Sequence, residues 1–471
     1  MSERAAAQAL AATFAAQRES ARRDPEPGRA AREARLLALE RLLRENLEPI
    51  AAAISADFGH RSADETRLIE LFPALECLRH ARRRVGRWMR PQRRPTSPWF
   101  FPARSRVQYQ PLGVVGVVVP WNYPVLLAVA PLAGALAAGN RTMVKMSEAV
   151  PATAALLARL VAERFAADEL AVVHGGIEIG RAFVALPFDH LLYTGATSVA
   201  PSVLRAAADN LTPVTLELGG KCPAIVAPGY PLAQAAERIV VGKTMNAGQT
   251  CIAPDYVLVP AGSERRFLEE AQRAASACYP DLARSPDYCS IIDARHYTRL
   301  LGLLEDARAK GAELVSLAPP AEPDAAARRL PPYGLLGVSD AMRVAQEEIF
   351  GPLLPVLPYA DLDAAIAYVN ARPRPLALYV FDRDAARVEG VLARTVSGGV
   401  TVNDTMFHFA QEALPFGGVG PSGMGRYHGR DGFEAFSVKK AVFYQSRLSG
   451  VGLFKPPYGK RVRALLARML R

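Results

Sequence analysis

Cys251 sits in NAGQTCIAPD (Asn246–Asp255), where small polar residues lead into the thiol and a proline and an aspartate follow within four positions. A cysteine is most often a small buried hydrophobe, and that reading suits Cys77, Cys222, Cys278 and Cys289. Cys251 differs because its neighbours are polar and flexible. A nucleophilic thiolate needs partial exposure and positive potential, which a turn or helix start provides. It also needs a base and donors for a developing oxyanion. Glu217 ends an apolar run in LELGGK, and the glycines beside it leave room for water. Asn122 lies in the proline-framed turn PWNYP, where its amide is hard to explain as packing. Together they suit attack on a carbonyl, stabilisation of its oxyanion and activation of water.

Elements must bring these groups together. No charge interrupts Leu112–Gly139, and a membrane-spanning helix needs roughly 20 such residues. Yet Pro120, Pro124, Pro131 and Asn122 break the stretch. VVGVVV predicts a strand buried on both faces, and the alanine-rich second half a buried helix. Further strands are expected at Thr142–Lys145, Val172–Val173, HLLYTG and PVTLELGG, with a helix over ATAALLARLVAERFAAD. After Gly220, strands near AIVA, YVLVP and Leu353–Leu357 alternate with helices around Phe267–Ala275 and Arg299–Ala309. This rhythm predicts an α/β protein with two doubly wound domains, whose ligands bind at the carboxyl ends of the strands.

The expected boundaries are a first domain over 1–94 and 112–216 and a second over 217–399. Residues 95–111 and 426–450 form a bridging arm, 400–425 a return segment at the active site, and 451–471 a basic amphipathic tail. The literal GxGxxG at Gly418–Gly423 is rejected as a phosphate fingerprint, because prolines interrupt both its approach and its loop. YTGATSVA (Tyr193–Ala200) has the better context: a strand ends, Gly195 turns, and Thr197 or Ser198 can cap a helix whose N-terminus faces a pyrophosphate. Pro201 then falls in or near the first turn, where a missing N–H costs little.

The chain has 471 residues, a net charge of +11, 50% apolar and 22% charged residues. That is ordinary for a folded soluble protein of two or three domains at about 150 residues each. No basic motif is interleaved with aromatics, so nucleic acid is not an expected partner. Five cysteines with no CxxC pair exclude a disulfide framework and a zinc site. No metal is expected, and free thiols fit the cytoplasm. MSERAAAQALAATFAAQRES carries Glu3 and Glu19 and lacks a long apolar core, so it predicts a first helix rather than a signal peptide.

The chain resembles the aldehyde dehydrogenase superfamily through TLELGGK, NAGQTC, PWNYP, EEIFGP around Glu348 and Phe350, and PFGGVGPSGMGRYHG, in the family's order from about Arg32 to Ser437. YHG at Tyr427–Gly429 and KMSE at Lys145–Glu148 look most like the class 3 branch, and the longer motifs resemble its coniferyl aldehyde dehydrogenases. The resemblance implies NAD(P)-dependent oxidation of an aldehyde to the acid. Cys251 would form a thiohemiacetal and then a thioester, Asn122 would hold the oxyanion and Glu217 would activate water. Lys145 and Glu148 would meet the adenosine ribose, and Glu348 the nicotinamide ribose. Phe350, Pro120 and Trp121 would lie beside the nicotinamide, and Thr194 and Gly195 along the diphosphate. Ala196 and Ala200 depart from the family's turn motif. Glu148 would repel a 2′-phosphate, which favours NAD over NADP.

Tyr123, Phe407 and Phe409 either line an apolar funnel for aromatic aldehydes such as coniferaldehyde or belong to the core. The alternatives are a dehydrogenase of medium or long-chain aliphatic aldehydes, a cysteine-dependent esterase, and a binding protein on a retired enzyme fold. In the tail, Val462, Leu465, Leu466, Met469 and Leu470 form one apolar helical stripe among basic residues. Ten residues span only about 15 Å, too short to cross a bilayer. The stripe is expected to pack on its own subunit or on a homodimer partner, with contact to a membrane surface as the other reading.

Overall fold

The computed structural model describes residues 3–450, 452 and 455–470. Its first sheet has six strands in the order Gly423–Met424, Val214–Glu217, His190–Thr194, Val114–Val118, Arg141–Lys145 and Leu170–Val173. All pair in parallel except Gly423–Met424, which runs antiparallel and sets Gly423 opposite Glu217. Val114, Val115 and Val117 are buried, so the central strand is apolar on both faces, as parallel strands under helices are. Chain order reverses on either side of Val114–Val118. That creates a crevice at the carboxyl ends, where Pro120–Asn122 and Gly195 emerge.

The uncharged stretch is therefore strand, turn and helix. Leu126–Ala138 is buried along its whole length with Pro131 inside it, and it ends at Gly139 in the left-handed region (φ 96°). Among the described residues no helix is long and apolar enough to cross a membrane.

The second sheet has seven strands in the order Glu313–Ser316, Tyr333–Leu336, Leu353–Tyr359, Tyr256–Pro260, Pro223–Val226, Ala377–Phe381 and Gly399–Val402. Only Glu313–Ser316 pairs antiparallel. The turn Leu218–Cys222 links the Glu217 strand to this sheet. A third, antiparallel sheet joins Gln92–Arg94, Arg104–Pro111 and Ser437–Tyr444.

Several local expectations change. The helix expected over 152–168 is Pro151–Ala162, and the chain then turns into Leu170–Val173. Neither Thr197 nor Ser198 caps the next helix: Ala200–Ala208 starts after Val199 with no side-chain cap, and buried Ala200 anchors it to the core. Cys278 is exposed, because it ends a helix whose buried face is already filled by Phe267, Leu268, Ala271 and Ala275. The tail helix Lys460–Met469 has no buried residue, and Leu470 beyond it is 85% exposed. Val462, Leu465 and Met469 are half-buried while Leu466 and Leu470 are exposed, so this chain covers the stripe only in part. Val451, Leu453, Phe454 and Arg471 lie outside the described residues.

One buried ion pair fixes the turn that carries Asn122. Arg61 Nη1 lies 3.1 Å from Glu70 Oε2, and both side chains are fully buried. A π-helical turn, Arg67–Leu71, carries Glu70 inward. There its Oε1 accepts from the Val125 N–H at 2.6 Å, at the start of the buried helix. Arg61 Nη1 also donates to the Asn122 carbonyl at 3.2 Å. Burial pushes the Glu70 carboxyl up, and the charge of Arg61 opposes that shift.

Removing one member of such a pair strands the other charge, at a cost of about 3–5 kcal/mol. Denaturant unfolding of Glu70→Ala is expected to show a loss of that size. Glu313→Ala, which breaks the exposed Arg265–Glu313 pair, should cost less than about 1 kcal/mol. Equal losses would contradict this assignment.

Candidate active site

The loop before Cys251 is built under strain. Asn246 and Ala247 have φ of 52° and 50°, and Gly248 follows at 74°. Left-handed non-glycine residues cost about 1–3 kcal/mol each and persist only where the surroundings over-determine them. Here the Asn246 N–H donates to Glu65 and its Nδ2 to the Asn122 carbonyl at 3.1 Å. A Cβ at Gly248 would collide with the Gly351 carbonyl. Gln249 is buried and fully engaged: Nε2 donates to the Asn246 and Ser290 carbonyls, and Oε1 accepts from Ile292.

Asn122 completes this lattice. Its Nδ2 donates to the Gln249 carbonyl at 3.1 Å, two residues before Cys251. A primary amide carries two N–H donors, so one remains.

Cys251 is half-buried. Burial pushes its thiol up to about 12, aided by the carboxylates of Glu348 and Glu217, while the backbone N–H groups of Cys251 and Ile252 oppose the shift. The positive potential expected from sequence is absent from this balance. The resting sulfur is a thiol, and it reacts only when its proton is taken.

Glu217 is 2% exposed, and among the described residues neither carboxylate oxygen has a hydrogen-bond partner. Burial raises its carboxyl well above the ordinary range, with Arg426 the opposing charge. A Cβ built at Gly417 would stand 2.9 Å from Glu217 Oε1, so the PFGG loop comes close because glycine is there. A buried carboxyl with no internal partner is poorly explained by packing and well explained by chemistry.

EEIFGP is clamped over the same crevice. Lys221 bridges Asp255 and the Val344 and Glu347 carbonyls, Asp255 accepts from the Ile349 N–H, and Arg299 donates to the Glu348 and Ile349 carbonyls. Burial raises the Glu348 carboxyl to about 8, followed by the charge of Asp255. A Cβ at Gly219 would collide with that carboxylate. Phe350 (φ 49°) stands edge-on to Trp121, with ring centroids 5.4 Å apart.

The crevice of the first sheet holds the remaining polar groups. The Lys145 ammonium donates to the Met146 and Gly175 carbonyls at 2.7 and 2.9 Å and lies 4.0 Å from Glu148. That leaves a third N–H and an exposed carboxylate facing the cleft. Thr194 Oγ1 is buried without a partner. The Gly195 N–H is already donated to the Glu217 carbonyl at 3.0 Å, so it cannot also serve a diphosphate. What Gly195 supplies is space, since a Cβ there would collide with the Tyr193 hydroxyl. An orphaned hydroxyl, a spare ammonium donor, an exposed carboxylate and a glycine at the strand end fit a dinucleotide laid across the carboxyl ends.

Beside Cys251 lies a cavity of about 760 Å³, whose lining includes Tyr123, Thr250, Phe407 and Phe409. The Tyr123 ring is largely buried, and its hydroxyl lies 2.6 Å from Thr250 Oγ1. Phe407 is 59% exposed. Phe409 packs edge-on against Phe416 and His428, at 4.8 and 4.7 Å. Phe407 thus belongs to the wall, while Phe409 is both wall and core.

The sequence reading missed Phe72, Glu76, His80 and Arg84, one face of the helix Phe72–Trp88 that completes the wall. Their four-residue spacing is visible, but the mixed charges look like a solvated surface. Arg61, Glu70 and Arg426 were missed as well, because isolated charges carry no pattern. Among the described residues no cluster of His, Cys, Asp or Glu could hold a metal ion.

The aldehyde dehydrogenase family model matches residues 1–442. A Pseudomonas aeruginosa protein named "Probable coniferyl aldehyde dehydrogenase" is 54% identical over 98% of this chain and 96% of its own length. The substrate-bound structure of Staphylococcus aureus AldH superposes with a TM-score of 0.92 at 36% identity, covering 98% of this chain and 99% of that one. A Mycobacterium tuberculosis aldehyde dehydrogenase complexed with NAD+ gives 0.84 at 29% identity, covering 94% and 91%.

The folded-state pKa of Glu217 lies above the ordinary 4.5. Between those two values only the folded state holds the proton, so stability falls as pH rises through that window. Glu217→Gln removes the buried charge and should be more stable than the parent at pH 8 by about 1–3 kcal/mol. The difference should vanish below pH 4.5. A parent more stable than the variant at pH 8 would contradict the assignment.

Proposed function

We propose that this chain, which belongs to the aldehyde dehydrogenase family, oxidises an aromatic aldehyde such as coniferaldehyde to its acid, with Cys251 as nucleophile, Asn122 as oxyanion donor and Glu217 as base. The observation that carries this is Glu217: a buried carboxyl without a partner, whose charge acts on the Cys251 thiol.

The Cys251 sulfur bonds to the aldehyde carbon and the carbonyl oxygen becomes an oxyanion. Glu217 takes the thiol proton. The remaining Asn122 N–H and the Cys251 backbone N–H hold that oxygen, a contribution of roughly 3–4 kcal/mol per donor in comparable sites. NAD(P), held by Lys145, Glu148 and Glu348, would supply the hydride acceptor for this carbon, and a thioester would remain on Sγ. Glu217 releases the thiol's proton to solvent, then deprotonates the water that attacks the thioester, and the acid departs as that second proton passes to the sulfur.

Lys145 and Glu148 would hold the adenosine ribose and Glu348 the nicotinamide ribose, with Pro120, Trp121 and Phe350 beside the nicotinamide. Thr194 donates toward the diphosphate, and Gly195 keeps its path open. Glu148 accepts from a ribose 2′-OH and repels a 2′-phosphate, so NAD is favoured over NADP.

The domain assigned to residues 1–94 and 112–216, whose six-stranded sheet takes its edge strand Gly423–Met424 from the return segment, then serves as the cofactor domain. The seven-stranded sheet is the catalytic domain, assigned to 217–399 with its edge strand running on to Val402. The arm of 95–111 and 426–450 joins a cytoplasmic homodimer.

Tyr123, Phe407 and the P. aeruginosa relative's name support the aromatic substrate. An esterase would use Cys251 without producing NADH. NADH formation by purified protein should therefore give a kcat/KM for coniferaldehyde at least about tenfold above that for acetaldehyde, as burial of a larger apolar group dictates. Equal values, or a preference for acetaldehyde, would refute the aromatic reading.

A further inference from the structure

We propose that Glu412 recognises the ring hydroxyl of the aromatic substrate, with His80 beside it in the same contact. This rests on the aromatic-aldehyde reading above. Glu412 and Cys251 line one cavity of about 760 Å³, and Leu126, Leu127, Met245 and Ile252 give it an apolar lining. The helix face from Phe72 to Arg84 forms its long wall, with a rise of roughly 18 Å at 1.5 Å per residue. That leaves room for a ring beyond a carbonyl held at Cys251.

Three carboxylates line this cavity: Glu76, Asp404 and Glu412. Glu76 is held by Arg79 at 2.7 Å. Asp404 accepts from the Thr405 N–H at 2.8 Å and lies 3.7 Å from Arg238. Glu412 has no cation. Its Oε1 accepts only from the Cys77 thiol at 2.8 Å among the described residues, and a thiol is a weak donor. Half-buried and under-satisfied, this carboxyl gains from a strong O–H donor. A phenol presents one, donating its proton to Oε2.

His80 supplies the neighbouring polar edge. Burial and the nearby Arg84 lower its pKa to about 4, so the ring is a neutral donor and acceptor at pH 7. A Cβ at Gly429 would sit 3.3 Å from His80 Nε2 and would collide with the Glu412 carbonyl. Gly429 (φ 47°) thus lies between His80 Nε2 and the Glu412 main-chain carbonyl, and both residues line the cavity.

The test compares coniferaldehyde with its 4-O-methyl ether, which keeps the ring and the aldehyde but loses the donor. Acetaldehyde is the third substrate. The parent should prefer the phenol over the ether, and Glu412→Ala should lower kcat/KM for the phenol by about tenfold to a hundredfold, the usual effect of a lost charge-assisted hydrogen bond. The ether should change less than about threefold. Glu412→Gln keeps the shape and an acceptor oxygen, and should fall between the parent and Glu412→Ala. Parallel losses for phenol and ether in both variants would make Glu412 structural and overturn the proposal. So would an unchanged phenol value. A parent that favours acetaldehyde over both aromatic substrates would overturn the aromatic reading itself, and this contact with it.

Discussion

The buried Arg61–Glu70 pair is the constraint on which the site depends. The two loops that do chemistry come from different sheets: Pro120–Asn122 follows a strand of the first, and Asn246–Cys251 precedes a strand of the second. Neither loop is regular, and their backbone groups are buried away from water. Arg61 reaches the Asn122 carbonyl while Glu70 takes N–H groups at the start of the next helix. Asn246 and Asn122 then exchange hydrogen bonds across the seam through the Asn122 and Gln249 carbonyls. Without those charges the Asn122 turn would be tied to the Cys251 loop only by its hydrogen bonds with Gln249 and Asn246.

The electrostatics around the sulfur follow from the same dryness. Cys251, Glu217 and Glu348 all sit where charge is poorly solvated, and each is shifted toward its protonated form. Like charges this close cannot all ionise. The resting site therefore favours its protonated groups, and Glu217 can take up a proton only in the fraction of molecules in which its carboxyl is ionised. The left-handed residues Asn246 and Ala247 add strain to this arrangement. Such costs are borne by the rest of the fold, here by valine- and alanine-rich layers buried from both sides.

Much of this was legible in the sequence, for a physical reason. Parallel strands buried on both faces must be continuous apolar runs, so VVGVVV and HLLYT were visible, and the prolines after VVGVVV fixed where the turn must be. NAGQTC stood out because flexible polar residues around a cysteine are costly unless used. The rest depended on three-dimensional contact. Arg61 and Glu70 look like ordinary helix charges until the π-helical turn rotates Glu70 inward. The thiol's protonation follows first from its burial and then from carboxylates far away in sequence, where a positive potential was expected. Gly195 looked like a phosphate contact because a strand ends there, but pairing with the neighbouring strand takes its N–H.

The division of labour between Cys251 and Glu217 is tested most directly by trapping the intermediate. Intact-protein mass spectrometry of Glu217→Gln, mixed with coniferaldehyde and NAD, should show one acyl adduct per chain that maps by peptide analysis to Cys251, formed with one burst of NADH and little turnover. Full turnover by that variant without an adduct, or an adduct on another residue, would contradict the account.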